Sequence, residues 1–187
     1  ADEFLKWYKT NPKDIGNLTL KVCQYLENNF PRDDPFVAAR TEYLHNSKSA
    51  SNGSLMRNSV VAPLFYNSTE RLIDATVLQS CLTHYSPLCV LVCVVESLLI
   101  QYAMRHHLKE LGYEDLEKAI SDDYIASLIQ GSDSVWQQWK SRKLLETDSP
   151  CKTWLTTVGS QLDEAESILI SGLAPKCPIS CTLFFNA

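Results

Sequence analysis

Apolar residues recur at spacings of three and four along most of this chain, a pattern that predicts helices. The first four such segments occupy residues 4–8, 15–30, 35–44 and 54–65. Asn11-Pro12 follows the first segment and Pro31 the second, and prolines at such places end helices. The fourth segment, with Met56, Val60, Val61, Leu64 and Phe65, predicts a buried helix that begins near Ser54. Few stretches alternate with a period of two, so the sequence favours an all-α fold.

The second half of the chain continues this pattern around one very apolar segment. Ser68 is placed to cap a helix that begins at Thr69. The segment 87–104 follows, with Ser86 as its cap and Pro87 in its first turn. Glu96 interrupts it after about nine residues, well short of the roughly 18 to 20 apolar positions that span a membrane. We therefore predict a central core helix and no membrane partner. Amphipathic spacing over 116–139 predicts covering helices, whereas residues 174–187 show no helical period.

Composition limits the classes of function. With 187 residues, 45% of them hydrophobic, the chain can bury one core, so we expect a single domain over 1–187. The net charge of −5 comes with no Lys/Arg cluster, which makes nucleic acid an unexpected partner. Seven cysteines, an odd number, suit reduced core thiols better than disulfides, and their spacing does not favour zinc. No signal peptide is visible, so an intracellular, cytoplasmic location is expected. The four tryptophans are interpreted as packing residues.

A polar turn stands directly before the fourth helical segment. It consists of Ser51, Asn52, Gly53 and Ser54. Such a turn leaves backbone N–H groups unpaired at a helix start, where the helix dipole adds positive charge. Phosphate or diphosphate is the usual ligand of this arrangement. The structural alternative is an ordinary helix cap.

Two further loops carry polar side chains at helix ends. His84 lies at the junction before the apolar helix, where a neutral or protonated imidazole can donate to a phosphate oxygen or satisfy a helix end. Asp14 lies in the loop 11–17, where it can cap the second helix or face a ligand hydroxyl. Loops that meet at helix ends are where an all-helical domain usually forms its pocket.

These stretches together resemble the ADP-ribosylglycohydrolase family. The matching residues are Trp7-Tyr8, Asp14-Ile15-Gly16-Asn17 with Thr19, Ser51-Asn52-Gly53-Ser54-Leu55-Met56-Arg57, Ala62-Pro63-Leu64, and Thr83-His84 with Ser86-Pro87. The resemblance covers about residues 1–110 and implies a compact all-α domain of orthogonal helices. It implies that Ser51, Asn52, Gly53 and Ser54 hold the phosphates of ADP-ribose, with Met56 and Arg57 fixing the helix start behind them. It also implies that His84 reaches the same phosphates and that Asp14 lines the cleft near the ribose.

The resemblance also implies a pair of magnesium ions as cofactor. Their ligands in the family come from an early Thr-Asp-Asp-Thr and a late Asp-x-Asp-Thr motif, and neither occurs here. Asp33-Asp34 and Ser121-Asp122-Asp123-Tyr124 are poor substitutes, since adjacent acids at a helix end rarely converge on one ion. We therefore assign no metal ligand and no catalytic residue. The chain is expected to be a central or divergent piece of a hydrolase of ADP-ribosyl conjugates, weak or inactive alone. The alternatives are a metal-free ADP-ribose or nucleotide-binding module and a non-catalytic helical scaffold.

Overall fold

The computed structural model describes residues 2–28, 34–105 and 135–172. Within these ranges the chain forms helices and no strands, which confirms the all-α prediction. The elements are α1 (Asp2–Tyr8), α2 (Asn17–Asn28), α3 (Val37–His45), a 3₁₀ helix (Leu55–Val60), α4 (Val61–Leu64), α5 (Thr69–Cys81), α6 (Pro87–Arg105), α7 (Val135–Leu145) and α8 (Pro150–Gly172). The helix predicted over 116–129, the segment 174–187, Asp33 and the acidic pair at 122–123 lie outside the described residues.

Local chemistry explains where several helices begin and end. The hydroxyl of Ser68 accepts the backbone N–H of Arg71 at 3.4 Å, so Ser68 caps α5 as predicted. Asn11 follows α1 with a φ of 54°, a left-handed conformation that asparagine tolerates, and Pro12 then prevents continuation of the helix. Gly159 has a φ of 40° and kinks α8 in its middle.

Helix α6 is the central element of the core. Val90 and Cys93 are fully buried, and α6 packs against α5, α8, α4 and the 3₁₀ helix. It is long and apolar enough to cross a membrane, but 56% of its most apolar window is buried inside the protein, as in the core helix of a soluble protein. The absence of a membrane partner stays a prediction. All five described cysteines are free and buried, as expected for reduced core thiols, and Cys177 and Cys181 lie outside the described residues.

The segment after the polar turn differs from its prediction. Instead of one buried α-helix, residues 55–64 form a 3₁₀ helix and the short α4. Met56, Val60 and Leu64 are 77%, 62% and 75% exposed, whereas Asn58 and Val61 are buried. A 3₁₀ helix has three residues per turn, so residues three apart share a face, and Asn58 and Val61 point inward together. The predicted burial is therefore right for Val61 and wrong for Met56, Val60 and Leu64.

Helices α7 and α8 pack on this core through tryptophans. Trp136, Trp139 and Trp154 are at most 2% exposed, which confirms their packing role, whereas Trp7 is 40% exposed. The indole N–H of Trp139 donates to Asp74 on α5 at 2.7 Å, so α7 is fixed to α5 by a hydrogen bond as well as by apolar contact.

Candidate ligand-binding site

The polar turn lies against the junction between α5 and α6. Ser51 Oγ is 2.8 Å from His84 Nε2, although the two residues are 33 positions apart in sequence. A Cβ added to Gly53 would lie 2.9 Å from His84 Cε1 and 3.5 Å from Thr19 Oγ1. The structure therefore brings together three of the predicted residues, Ser51, Gly53 and His84. We call the loop 51–54 with His84 the turn–junction site.

The turn contains backbone N–H groups that are not used as donors within the described structure. Among the described residues, none accepts a hydrogen bond from the backbone N–H of Asn52, Gly53 or Ser54. The carbonyl of Asn52 accepts the N–H of Met56 at 2.9 Å, which closes the turn into the 3₁₀ helix. The six-residue 3₁₀ helix replaces the long α-helix whose dipole was expected to add positive charge at the turn.

Two of the predicted side chains do not have their predicted place in this site. Ser54 is fully buried, and its hydroxyl contacts the thiol of Cys93 on α6 at 3.5 Å. The expectation that its hydroxyl meets a phosphate is therefore wrong for this geometry, because the core holds it. The side chain of Met56 is 77% exposed, so it does not have the predicted role of fixing the helix start behind the turn.

Arg57 supports the turn instead. Its guanidinium donates to the carbonyl of Gly53 at 3.1 Å, to the carbonyl of Gln79 at 2.8 Å and to Thr83 Oγ1 at 2.7 Å. It also lies over the ring of Phe4, 4.9 Å from the centroid. Within the part of the chain that the structure describes, no carboxylate pairs with it, and burial lowers the pKa of the guanidinium. Arg57 thus holds the turn through the carbonyl of Gly53 and is a half-buried cation with neutral acceptors.

His84 is neutral and held on both ring nitrogens. It is 1% exposed, and burial, followed by the charge of Arg57, lowers its pKa from 6.5 to about 4. Its Nδ1 lies 2.7 Å from Thr83 Oγ1, on the opposite side of the ring from Ser51. Of the two protonation states considered from sequence, the structure selects the neutral one at neutral pH.

A polar network extends from Arg57 into the core, and the sequence analysis did not predict it. Gln79 accepts from Arg57 Nε at 3.0 Å and donates to Asn58 Oδ1 at 2.9 Å. Asn58 Nδ2 lies 2.8 Å from both the carbonyl of Cys93 and the carboxylate of Glu96. The one signal available was an asparagine in an otherwise apolar stretch, where a buried amide needs partners.

Asp14 is not joined to the turn–junction site. It is exposed in the loop before α2, and no hydrogen bond or ion pair links it to the residues described above. Its predicted place near a ribose stays a prediction.

The described residues do not fit a magnesium site. Among them, no three His, Cys, Asp or Glu side chains are grouped to hold an ion. Asp34, half of one candidate pair, forms an ion pair with Arg40 and accepts the N–H of Phe36 at 3.0 Å. Both oxygens of this carboxylate are therefore already engaged by donors of the protein.

The comparisons with known proteins agree with this fold. The ADP-ribosylglycohydrolase family model matches residues 1–177, so the chain belongs to the ADP-ribosylglycohydrolase family, hydrolases that act on ADP-ribosylated substrates. One relative is an Acanthamoeba polyphaga mimivirus protein named as an ADP-ribosyl glycohydrolase, which is 28% identical over 136 residues. The match covers 67% of this chain and 39% of the relative, so the chain spans about two fifths of that protein's length. No solved structure matches the chain.

Proposed function

We propose that this chain binds the ADP-ribose part of ADP-ribosylated substrates, with the diphosphate at the turn–junction site. The observation that carries the proposal is the contact between Ser51 and His84 beside the backbone amides of Asn52 and Gly53, which have no acceptor within the part of the chain that the structure describes. Unpaired amides in a turn form a concave anion site, and phosphate oxygens are strong acceptors. Family membership supports ADP-ribose over other phosphate ligands.

Each residue has a defined part in this proposal. The amides of Asn52 and Gly53 and the hydroxyl of the exposed residue Ser51 donate to phosphate oxygens, whereas the fully buried Ser54 contributes no donor. His84 is almost fully buried and its Nε2 is occupied by Ser51, so it acts through that hydroxyl. Arg57 contributes its charge from behind the turn.

Hydrolysis of the glycosidic bond is the expected activity of the complete enzyme. In this family bound magnesium would supply an activated water. The described residues offer no ligand set for that ion. We therefore propose that this chain alone binds ADP-ribose but hydrolyses the glycosidic bond weakly or not at all. Asp14 is kept as a candidate ribose contact in the larger cleft.

Calorimetric titration with ADP-ribose, with and without magnesium, tests the proposal. Binding that ignores magnesium supports a binding module, and binding with turnover only in magnesium supports a hydrolase. No binding in either condition leaves the scaffold alternative and removes the proposal.

A matched pair of serine variants locates the site. Ser51→Ala should weaken binding by roughly 1 to 3 kcal/mol, as expected for a hydrogen bond to a charged group. Ser47→Ala changes an exposed serine of the same loop and should leave affinity unchanged. Equal affinity of both variants and the natural protein would place the ligand elsewhere.

A further inference from the structure

Thr83 connects the guanidinium of the half-buried Arg57 to the imidazole of His84. It is 1% exposed, and its Oγ1 lies 2.7 Å from Arg57 Nη2 and 2.7 Å from His84 Nδ1. A guanidinium can only donate, so the threonine oxygen is the acceptor in the first contact. The single hydroxyl hydrogen is then left for Nδ1, which accepts it.

We propose that Thr83 is a positioning residue that fixes His84 in the tautomer with hydrogen on Nε2, and thereby makes the hydroxyl of Ser51 a donor to an anionic ligand. In this arrangement the Nε2 hydrogen points to Ser51 Oγ, which accepts it. The hydrogen of Ser51 is then free to point outward, where the side chain is exposed. The proposal rests on the proposed function for the identity of the ligand.

The opposite tautomer is disfavoured by the number of donors around Thr83. With hydrogen on Nδ1, both Arg57 and His84 would donate to the same oxygen. The hydroxyl hydrogen of Thr83 would then have no acceptor among the described residues, because its other contacts are the two donors. A buried donor without a partner is costly. The hydroxyl of Ser51 would then donate to His84 Nε2, and only its oxygen lone pairs would face an approaching phosphate.

Nitrogen NMR of the His84 ring measures this directly, in the protein without ligand and near neutral pH. The expected result is one tautomer, with hydrogen on Nε2, in the natural protein and in Thr83→Ser, which keeps the hydroxyl. Thr83→Val keeps the shape and removes the hydroxyl, so the ring should become a mixture of tautomers. Hydrogen on Nδ1 in the natural protein would overturn the proposal, whether or not the valine variant folds.

Affinity for ADP-ribose supplies the functional arm of the test. Thr83→Val should bind about tenfold more weakly, as for loss of one hydrogen bond to a charged group, and Thr83→Ser should bind like the natural protein. Combined with Ser51→Ala, the valine substitution should add little, because both remove the same donor. Additive losses, or full affinity in Thr83→Val, would overturn it. If the natural protein binds no ADP-ribose, the proposed function fails, while the tautomer is still decided by the spectrum.

Discussion

Gly53 is required by its neighbour rather than by its own backbone angles. Its φ is not in the left-handed region, where glycine is favoured, but any Cβ there would overlap the His84 ring. That ring cannot easily give way, because Ser51 and Thr83 hold its two nitrogens. The turn and the imidazole are therefore one packed unit, and a change in either moves the other.

Gly53→Ala should weaken ADP-ribose binding by about tenfold or more and lower stability by roughly 1 to 3 kcal/mol, because overpacking displaces the ring. Titration calorimetry and thermal unfolding measure the two effects. The control is Gly16→Ala, since a Cβ at Gly16 meets nothing within 4 Å. Equal behaviour of the two alanine variants would contradict the packing argument.

His84 should make stability depend on pH. Its pKa is about 4 in the folded protein, against 6.5 as its ordinary value, so the unfolded chain binds more protons between these values. Stability is then fully present above pH 6.5 and decreases as pH falls toward 4, by about 3 kcal/mol from this group.

Denaturant unfolding across that pH range, compared with His84→Gln, isolates this contribution. The variant should show a flatter dependence over the same window, and His45→Gln, which changes an exposed histidine, should follow the natural protein. A slope unchanged by His84→Gln would mean that the ring is not buried as described.

The sequence predicts part of the site and misses the rest for a physical reason. Ser51, Gly53 and His84 could be selected because a glycine-containing turn and a histidine at a helix junction are local features that can be seen in the sequence. The buried orientation of Ser54 and the network through Gln79 could not be predicted from the sequence. Each depends on which residues of α6 and α5 lie next to the turn in the folded protein.

At the scale of elements, the period of the segment after the turn decides which side chains are buried. Residues 55–60 wind with three residues per turn, and the amide of Asn58 donates to α6. A single buried asparagine thus fixes a face that apolar spacing alone assigned only in part, through Val61. The longer helices α5 and α6 were predicted well, because their apolar faces persist over several turns.

Two adjacent valines test this assignment. Val61 is 7% exposed and Val60 is 62% exposed. Val61→Ala should cost about 1 to 3 kcal/mol through lost burial and a cavity, whereas Val60→Ala should stay within about 0.5 kcal/mol. Chemical denaturation measures both, and equal losses for the two valines would support the predicted burial of both.

At the scale of the whole molecule, the last described helix, α8, is hydrogen-bonded to the junction that carries His84. The indole of Trp154 on α8 donates to the carbonyl of Tyr85 at 3.0 Å, next to His84 in the chain. The all-α class was predictable from periodicity, but this contact between residues 69 positions apart was not. The single-domain organisation and the intracellular location stay predictions.

Trp154→Phe should therefore lower both stability and ADP-ribose affinity, because the carbonyl of Tyr85 loses its donor and the junction can shift. Trp136→Phe is the matched control, since that indole donates to Glu166 at 2.7 Å, within the α7–α8 pair. Thermal unfolding and calorimetry on both variants separate the effects. Comparable affinity losses in the two would indicate a general loosening.

The acceptors around Arg57 are neutral, which affects the energetic cost of bringing an anion to the turn. Most guanidinium groups inside proteins already face a carboxylate, which an incoming phosphate must compete with or displace. Arg57 faces carbonyls, an amide oxygen and a hydroxyl. A negatively charged group at the turn would gain attraction from this cation without first breaking an internal ion pair.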